Sequence, residues 1–195
     1  MRLWTIQPQE IYEILKQDGV FHCDPSRSTC LTEMNFGHAY DWMCEQMYQK
    51  IGNPPEGVTS PIWAWHTLDW KHQKPYLRRT EFCHEPENSV CLEVEIPDAQ
   101  VLLSDEERWH SVLGNWYLTN TTNETDYRQA EAWFDSLSPE EQQEARQQSW
   151  QHIFEITPFE NEWDRRGCYI QATFWELRLE QIISVRYFKG RWRKK

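Results

Sequence analysis

Apolar positions recur along this chain with two periods, one typical of helices and the other typical of strands. Over about 8–18 they recur at helical spacing, which predicts a helix that buries one face. Pro8 suits the first turn of this helix, and Gly19 suits its left-handed end. Short apolar runs on either side predict one strand before the helix and another after it. Polar residues fall where these strands meet loops, which is where ligand sites are usually found.

Further helices are predicted at three places downstream. A second helix spans about 35–51, because its apolar residues fall on one side and Gly52 follows them. The sequence Ser-Asp-Glu-Glu at 104–107 predicts a capping box that opens a short helix ending at Gly114. Residues 127–154 predict an acidic helical hairpin, which we interpret as an insertion or lid beside a sheet.

Strands are predicted near both ends of the chain and at two places between them. Residues 62–65 predict a short aromatic strand, and residues 90–96 alternate strictly as a half-buried strand does. Residues 169–179 and 182–188 predict two more strands. Strands at both ends with helices between them predict a single α+β domain over 1–195. We expect a mixed, aromatic-rich sheet flanked by helices, with the two termini adjacent in it.

The aromatic content indicates what fills the core. The 195 residues include 12 Trp, 8 Tyr and 8 Phe but only 7 Gly. Rings of this size bury roughly 150–250 Å² each, so a handful of them supplies most of a core. The chain length suits one compact domain.

The net charge of −11 excludes a bulk positive field that would draw nucleic acid. The basic segment 186–195 is the exception, and it is either a solvated terminus or a local contact for nucleic acid or an acidic partner. No apolar run is long enough for a signal peptide or a membrane span, so we expect a cytoplasmic protein without membrane contact. In that reducing compartment the six cysteines are expected to be thiols.

Motifs for common chemistry are missing from the sequence. It contains no glycine-rich dinucleotide motif, no P-loop and no nucleophile elbow. Two sets of zinc ligands are conceivable, His22-Cys23 with Cys30 and Cys83-His84 with Cys91. Their cysteines are seven and eight residues apart, whereas ligand pairs of structural zinc sites are usually two to four apart. We therefore expect no metal site.

Two places have both a structural and a functional interpretation. Glu176 either forms an ion pair at the rim of the sheet, with Arg178 or Arg186, or presents a carboxylate to a developing positive charge. Trp63 and Trp65 fall on one face of their strand, either as sheet core or as a platform on which a ligand stacks.

Four segments resemble a bacterial family of unknown function. They are Met-Arg-Leu-Trp-Thr-Ile-Gln-Pro at 1–8, Pro-Ile-Trp-Ala-Trp at 61–65, Lys-Pro-Tyr-Leu-Arg-Arg at 74–79 and Gln-Ala-Thr-Phe-Trp-Glu-Leu at 171–177. The resemblance covers nearly the whole chain, and it brings no activity with it.

The order of elements also resembles the ADP-ribosyltransferase fold, particularly the DNA-targeting toxins and the RNA 2′-phosphotransferases. Those proteins likewise begin with a strand that holds a polar residue, a capped helix and a glycine that leads into a second strand. This resemblance implies that Trp4 and Thr5 contact NAD, with Trp4 or Trp63 stacked on the nicotinamide ring. It also implies that Arg78 or Arg79 binds the pyrophosphate.

The resemblance implies an ADP-ribosyltransferase-like enzyme that uses NAD, with nucleic acid as the acceptor reached through the basic C-terminus. Glu176 would stabilise the positive charge that develops at the ribose. The toxins carry that glutamate where this chain has Thr173, three residues earlier. A second hypothesis is therefore a non-catalytic module of the same fold that binds a ligand, or a basic protein through its acidic surface. A zinc-dependent module is the third.

Overall fold

Most of the strands form one six-stranded antiparallel sheet in a computed structural model that describes residues 1–83 and 88–190. The strands are β1 (Arg2–Pro8), β2 (Val20–Phe21), β3 (Ile62–Thr67), β4 (Asn88–Glu95), β5 (Leu102–Asp105), β6 (Ile170–Phe174), β7 (Leu177–Arg178) and β8 (Ile182–Lys189). The order across the sheet is β5–β6–β3–β1–β4–β8, and β2 pairs with β7 in a separate ribbon. The predicted single α+β domain is therefore confirmed.

Helices cover both faces of the sheet. They are α1 (Gln9–Asp18), α2 (Thr29–Thr32), α3 (Gly37–Ile51), α4 (Thr80–Cys83), α5 (Glu106–Leu113), α6 (Glu124–Asp135) and α7 (Pro139–Ser149). Single 3₁₀ segments lie at Pro25–Arg27, Asp98–Gln100, Trp150–Phe154 and Leu179–Gln181. The helical hairpin that we placed at about 127–154 thus corresponds to α6, α7 and the 3₁₀ segment that continues α7.

The first helix forms as the sequence predicts. Pro8 lies at its N-cap, and Gly19 ends it with φ of +76°, a conformation that glycine adopts without the steric penalty of a Cβ. The apolar face of α1, with Ile11 and Leu15, packs against the sheet in a core that also holds Leu3 and Leu92. We call this core the α1 cluster.

The sheet differs from our expectation in strand direction. Each of its five strand pairings is antiparallel, so the prediction of a mixed sheet is wrong. Alternation of apolar side chains is the same in both kinds of sheet, and it therefore carries no information on direction. The expectation that the terminal strands are adjacent is also wrong, because β4 pairs with both β1 and β8 and lies between them.

Strand β5 is an element that the periodicity did not reveal. It is four residues long, and Ser104, which we placed in a helix cap, is its third residue. Asp105 is the N-cap of α5 instead, and its carboxylate accepts hydrogen bonds from the backbone N–H groups of Arg108 and Gly167. The short strand takes the chain directly into α5, so the helix begins at the edge of the sheet.

The second face of the sheet is covered by two separate cores. Helices α3 and α5 and the segment Trp150–Phe154 form the α3–α5 cluster, which includes Met43 and Trp109. The loop after β3 packs with α4 against β1 and β4 to form the loop cluster, which includes Leu68, Leu77, Phe82, Trp4 and Cys91. Strand alternation separates these cores from the α1 cluster, since Trp4 follows Leu3 in β1.

Gly167 is a position where we expect a methyl group to destabilise the fold. Its φ is +79°, and a Cβ there would lie 2.8 Å from the carbonyl oxygen of Ile156. Gly167→Ala should therefore lower the free energy of unfolding by about 1–3 kcal/mol, measured by urea denaturation. Gly37→Ala is the matched control, because a Cβ there meets nothing within 4 Å and glycine is a poor helix former. Equal stability of the two variants would contradict the prediction.

Candidate functional site

A pocket of about 300 Å³ lies on the second face of the sheet, between the α3–α5 cluster and the loop cluster. Strands β3 and β6 form its floor, α3 contributes one wall, and α5 contributes another. The lining residues that matter for its chemistry are Tyr40, Trp63, Trp65, Glu106, Trp109 and Gln171. We call it the aromatic pocket.

Three of its aromatic rings pack against one another. The Trp63 and Trp109 ring centroids are 5.1 Å apart, and the Tyr40 ring lies edge-on to both, at 5.8 and 6.2 Å. Edge-to-face contacts at these distances are favourable and restrict the rings. Trp65 lies two residues beyond Trp63 on the same face and packs edge-on against Phe82. The prediction that Trp63 and Trp65 share a face is confirmed, since both line the pocket.

Buried polar atoms without partners belong to three residues on β3, β5 and β6, two of which line the pocket. Gln171 is only 8% exposed, and its Nε2 has no hydrogen-bond partner among the described residues. Ser104 stands opposite Gln171 in the sheet, and its buried Oγ likewise has no partner in the described part of the chain. The same holds there for the indole Nε1 of Trp63. Burying such a group without a hydrogen bond costs about 1–3 kcal/mol, so these atoms lower the stability of the fold as it stands.

One carboxylate lines the pocket among the residues that the structure describes. Glu106 is the first residue of α5, and its side chain is 26% exposed. Burial raises its pKa, against the opposing effect of His110, whose Nε2 lies 3.8 Å from Oε1 of Glu106. His110 is 60% exposed, so it compensates the buried charge only weakly. An ionised Glu106 is therefore a carboxylate without a strong cationic partner among the described residues.

The two residues of β1 that we expected to contact NAD are part of the core. Trp4 is buried in the loop cluster, where its ring packs edge-on against His72. Thr5 is fully buried, and its hydroxyl donates to the carbonyl oxygen of Trp63 at 2.7 Å and accepts from Gln7. Neither side chain lines the aromatic pocket. Of the aromatic pair that we expected to stack on nicotinamide, Trp63 is the one with access to a pocket.

The two expected pyrophosphate ligands lie in the loop before α4. Arg79 forms an ion pair with Asp69 at 2.7 Å and another with Glu81 at 3.4 Å. Two carboxylates therefore already pair with the guanidinium of Arg79, which we expected to bind phosphate. Arg78 is exposed. Neither arginine lines the aromatic pocket.

Glu176 lies beyond the end of β6 and is held by two basic side chains. Nε of Arg178 is 2.7 Å from one carboxylate oxygen, and Nε2 of His22 is 3.3 Å from the other. Burial acts to raise the pKa of Glu176, but these two hydrogen bonds lower it below its usual value. The predicted ion pair at the rim of the sheet is confirmed, with Arg178 as the partner.

Glu176 and Trp63 do not share a pocket. Glu176 lines a smaller cavity of about 180 Å³ together with Ile51, at the C-terminal end of α3. Tyr40 of the aromatic pocket lies eleven residues earlier on that helix, which corresponds to roughly 16 Å along the helix axis. No described residue belongs to both linings.

Metal ligation has no support in residues 1–83 and 88–190, where no three His, Cys, Asp or Glu side chains are arranged to hold an ion. His84, one of the zinc ligands that we considered, lies outside the described residues, and so do residues 191–195 of the basic segment. The five cysteines whose side chains the structure describes are free thiols, as we expected: Cys23, Cys30, Cys44, Cys91 and Cys168.

Sequence reasoning missed four residues of the pocket: Tyr40, Glu106, Trp109 and Gln171. Gln171 had one usable signal, a polar side chain inside a strand of apolar and small residues. Glu106 looked like part of a helix cap, and Trp109 and Tyr40 looked like ordinary helix residues. Their convergence depends on the pairing of β3, β5 and β6, which brings together segments about 40 to 110 residues apart along the chain.

The chain belongs to the family described as domain of unknown function DUF3841, whose pattern matches residues 2–183. No match to the chain was found among the curated proteins or among the solved structures. No helix within the described ranges is both long enough and apolar enough to cross a membrane.

Proposed function

We propose that this domain binds NAD⁺, with the nicotinamide ring in the aromatic pocket. The observation that carries the proposal is the combination of stacking rings with the unpartnered amide of Gln171 in one pocket. Planar heterocycles stack on such rings, and a buried amide pairs with the carboxamide that nicotinamide carries. The proposal also keeps the resemblance to the ADP-ribosyltransferase fold, in which NAD is the substrate.

The size of the pocket sets which part of the dinucleotide it accepts. Its volume of about 300 Å³ is at the lower end of the roughly 300–1,000 Å³ range of ligand pockets. It therefore accommodates the nicotinamide end, while the rest of the dinucleotide extends toward solvent past His110, which is mostly exposed. Calorimetric titration of the protein with NAD⁺ tests this proposal directly.

Gln171→Met should affect NAD⁺ affinity and stability in different directions. Methionine keeps the length of the side chain but removes the amide, so NAD⁺ affinity should fall roughly tenfold. Stability should stay constant or rise, because a buried unpartnered N–H group disappears. Calorimetry and urea denaturation measure the two effects. If the variant keeps the wild-type affinity for NAD⁺, whatever its stability, Gln171 belongs to the fold and does not contact the ligand.

ADP-ribosyl transfer is the second candidate function, and the Glu106 carboxylate beside the aromatic rings favours it. In that reaction the bond between nicotinamide and C1′ of the ribose breaks, nicotinamide leaves with the bonding electrons, and a carboxylate stabilises the positive charge on the ribose. A nucleophilic group of the acceptor then forms the new bond to C1′ and releases its proton to solvent. The family resemblance proposes Glu176 for this role and nucleic acid as the acceptor. The non-catalytic alternative is favoured by the contacts that already occupy Arg79 and Glu176.

Nicotinamide release from NAD⁺ separates these two functions, with Glu176→Gln and Glu106→Gln beside the wild type. Release that is lost in Glu176→Gln supports the role that the resemblance proposes for that residue. Release that is lost only in Glu106→Gln assigns the role to the pocket. Folded wild-type protein that binds NAD⁺ without releasing nicotinamide is a binding module, and a basic protein is then the partner to seek.

A further inference from the structure

The aromatic pocket has an unusual balance of charge. Among the eleven described residues that line it, Glu106 is the one carboxylate, and none is lysine or arginine. His110 also lines the pocket, and it is largely exposed. The pocket therefore presents negative charge without a strongly basic side chain to balance it.

The aromatic rings of the pocket also favour a positively charged ligand. The faces of tryptophan and tyrosine rings carry partial negative charge, and they attract cations within about 6 Å of the ring centre. Four such rings line this pocket, those of Tyr40, Trp63, Trp65 and Trp109. Several aromatic rings around one carboxylate form the arrangement that recognises cations too large or too weakly hydrated for an ordinary ion pair.

A bound cation would also stabilise the ionised carboxylate of Glu106. Glu106 is mostly buried, and an ion buried without a partner is unfavourable unless an opposite charge approaches it. Most other carboxylates that interact with basic groups here do so with arginine, as Glu176 does with Arg178 and Asp69 with Arg79. A positively charged ligand would supply Glu106 with the partner that its own chain supplies elsewhere.

We propose that the aromatic pocket selects rings that carry a positive charge, and that Glu106 determines this preference. The inference rests on the proposed function in that the cation is the nicotinamide ring of NAD⁺. That ring is positively charged in NAD⁺ and neutral in NADH, so the pocket distinguishes the oxidised dinucleotide from the reduced one. The selection is made by binding alone and involves no chemical step.

Small probes test the selection without the dinucleotide. 1-Methylnicotinamide is a cation and nicotinamide is neutral, because the one methyl group by which they differ is attached to the ring nitrogen. We expect the wild-type protein to bind the cation roughly tenfold more tightly or better, measured by quenching of tryptophan fluorescence or by calorimetry. Glu106→Gln should reduce this ratio to between one and three, because glutamine keeps the shape and loses the charge.

Glu107→Gln is the matched control. It removes a carboxylate from the next residue of α5, which pairs with Arg165 and does not line the pocket. The control should keep the wild-type ratio, and circular dichroism should show both variants folded. A ratio that falls equally in both variants would assign the effect to the overall negative charge and overturn the proposal.

The binding of NAD⁺ and NADH distinguishes a failure of the charge selection from a failure of the proposed function. If NAD⁺ and NADH bind wild-type protein equally well, the selection is overturned while the proposed function stands. If neither dinucleotide binds but 1-methylnicotinamide binds and nicotinamide does not, the selection stands and the proposed function is overturned. Tighter binding of NAD⁺ than NADH, with the difference lost in Glu106→Gln, supports both.

Discussion

Replacing Trp63 by leucine should weaken the binding of NAD⁺ by about tenfold to a hundredfold. A ring stacked on an aromatic side chain contributes about 1–3 kcal/mol, and leucine provides no stacking face. Leucine still fills much of the space beside Tyr40 and Trp109, so the α3–α5 cluster stays packed. Calorimetry with NAD⁺ measures the loss.

Trp133→Leu controls for the general loss of a tryptophan. Trp133 lies on α6, is half exposed and does not line the aromatic pocket. It should leave the affinity for NAD⁺ unchanged. If folded Trp63→Leu protein keeps the wild-type affinity, the nicotinamide ring does not bind in this pocket, whatever else the domain binds.

The elements that the sequence predicted well are those with a periodic apolar face. Helix α1 and strand β4 each have such a face, and both pack it into the α1 cluster. Strand β5 has only four residues, which is too short for a period to emerge, and so it was missed. Strand direction was missed for another reason, because it depends on pairing between distant segments and not on any local pattern.

The residues of the candidate site also differ in whether a local pattern reveals them or only the pairing of distant segments brings them together. Trp63 was predicted because a tryptophan in a strand is a visible local signal for stacking or packing. Gln171 and Glu106 became part of a site only through the sheet, which places β6 beside both β3 and β5. The ion pair between Glu176 and Arg178 was one of the two interpretations of that residue, since the partner lies two positions away in the sequence. Arg79 was assigned to a ligand instead, and its pair with Asp69 is difficult to predict because it depends on how a loop turns.

A buried arginine holds the helix that carries the pocket. Arg108 lies on α5 between two pocket residues, Glu106 and Trp109, and points away from the pocket into a polar network. Its guanidinium donates to Asp164 at 3.0 Å, to Asn120 at 3.1 Å and to a backbone carbonyl at 3.0 Å. These contacts fix α5 against the segment that precedes β6.

We expect Arg108→Met to lower the free energy of unfolding by about 3–5 kcal/mol, the typical effect of removing one partner of a buried ion pair. The side chains of Arg108 and Asp164 are only 9% and 10% exposed, so the variant leaves a buried carboxylate without its cation. Urea denaturation measures the loss. Arg128→Met is the control, because its ion pair with Glu124 is exposed on α6 and should contribute less than about 1 kcal/mol.

A second substitution separates charge from packing. If the unpaired Asp164 carboxylate causes the loss, adding Asp164→Asn to Arg108→Met should recover part of the stability, because the uncompensated charge is then removed. No recovery would assign the loss to the packing of the arginine side chain. Because α5 carries Glu106 and Trp109, Arg108→Met should also weaken NAD⁺ binding at temperatures where the protein is still folded. Unchanged binding would mean that the position of α5 does not depend on this network.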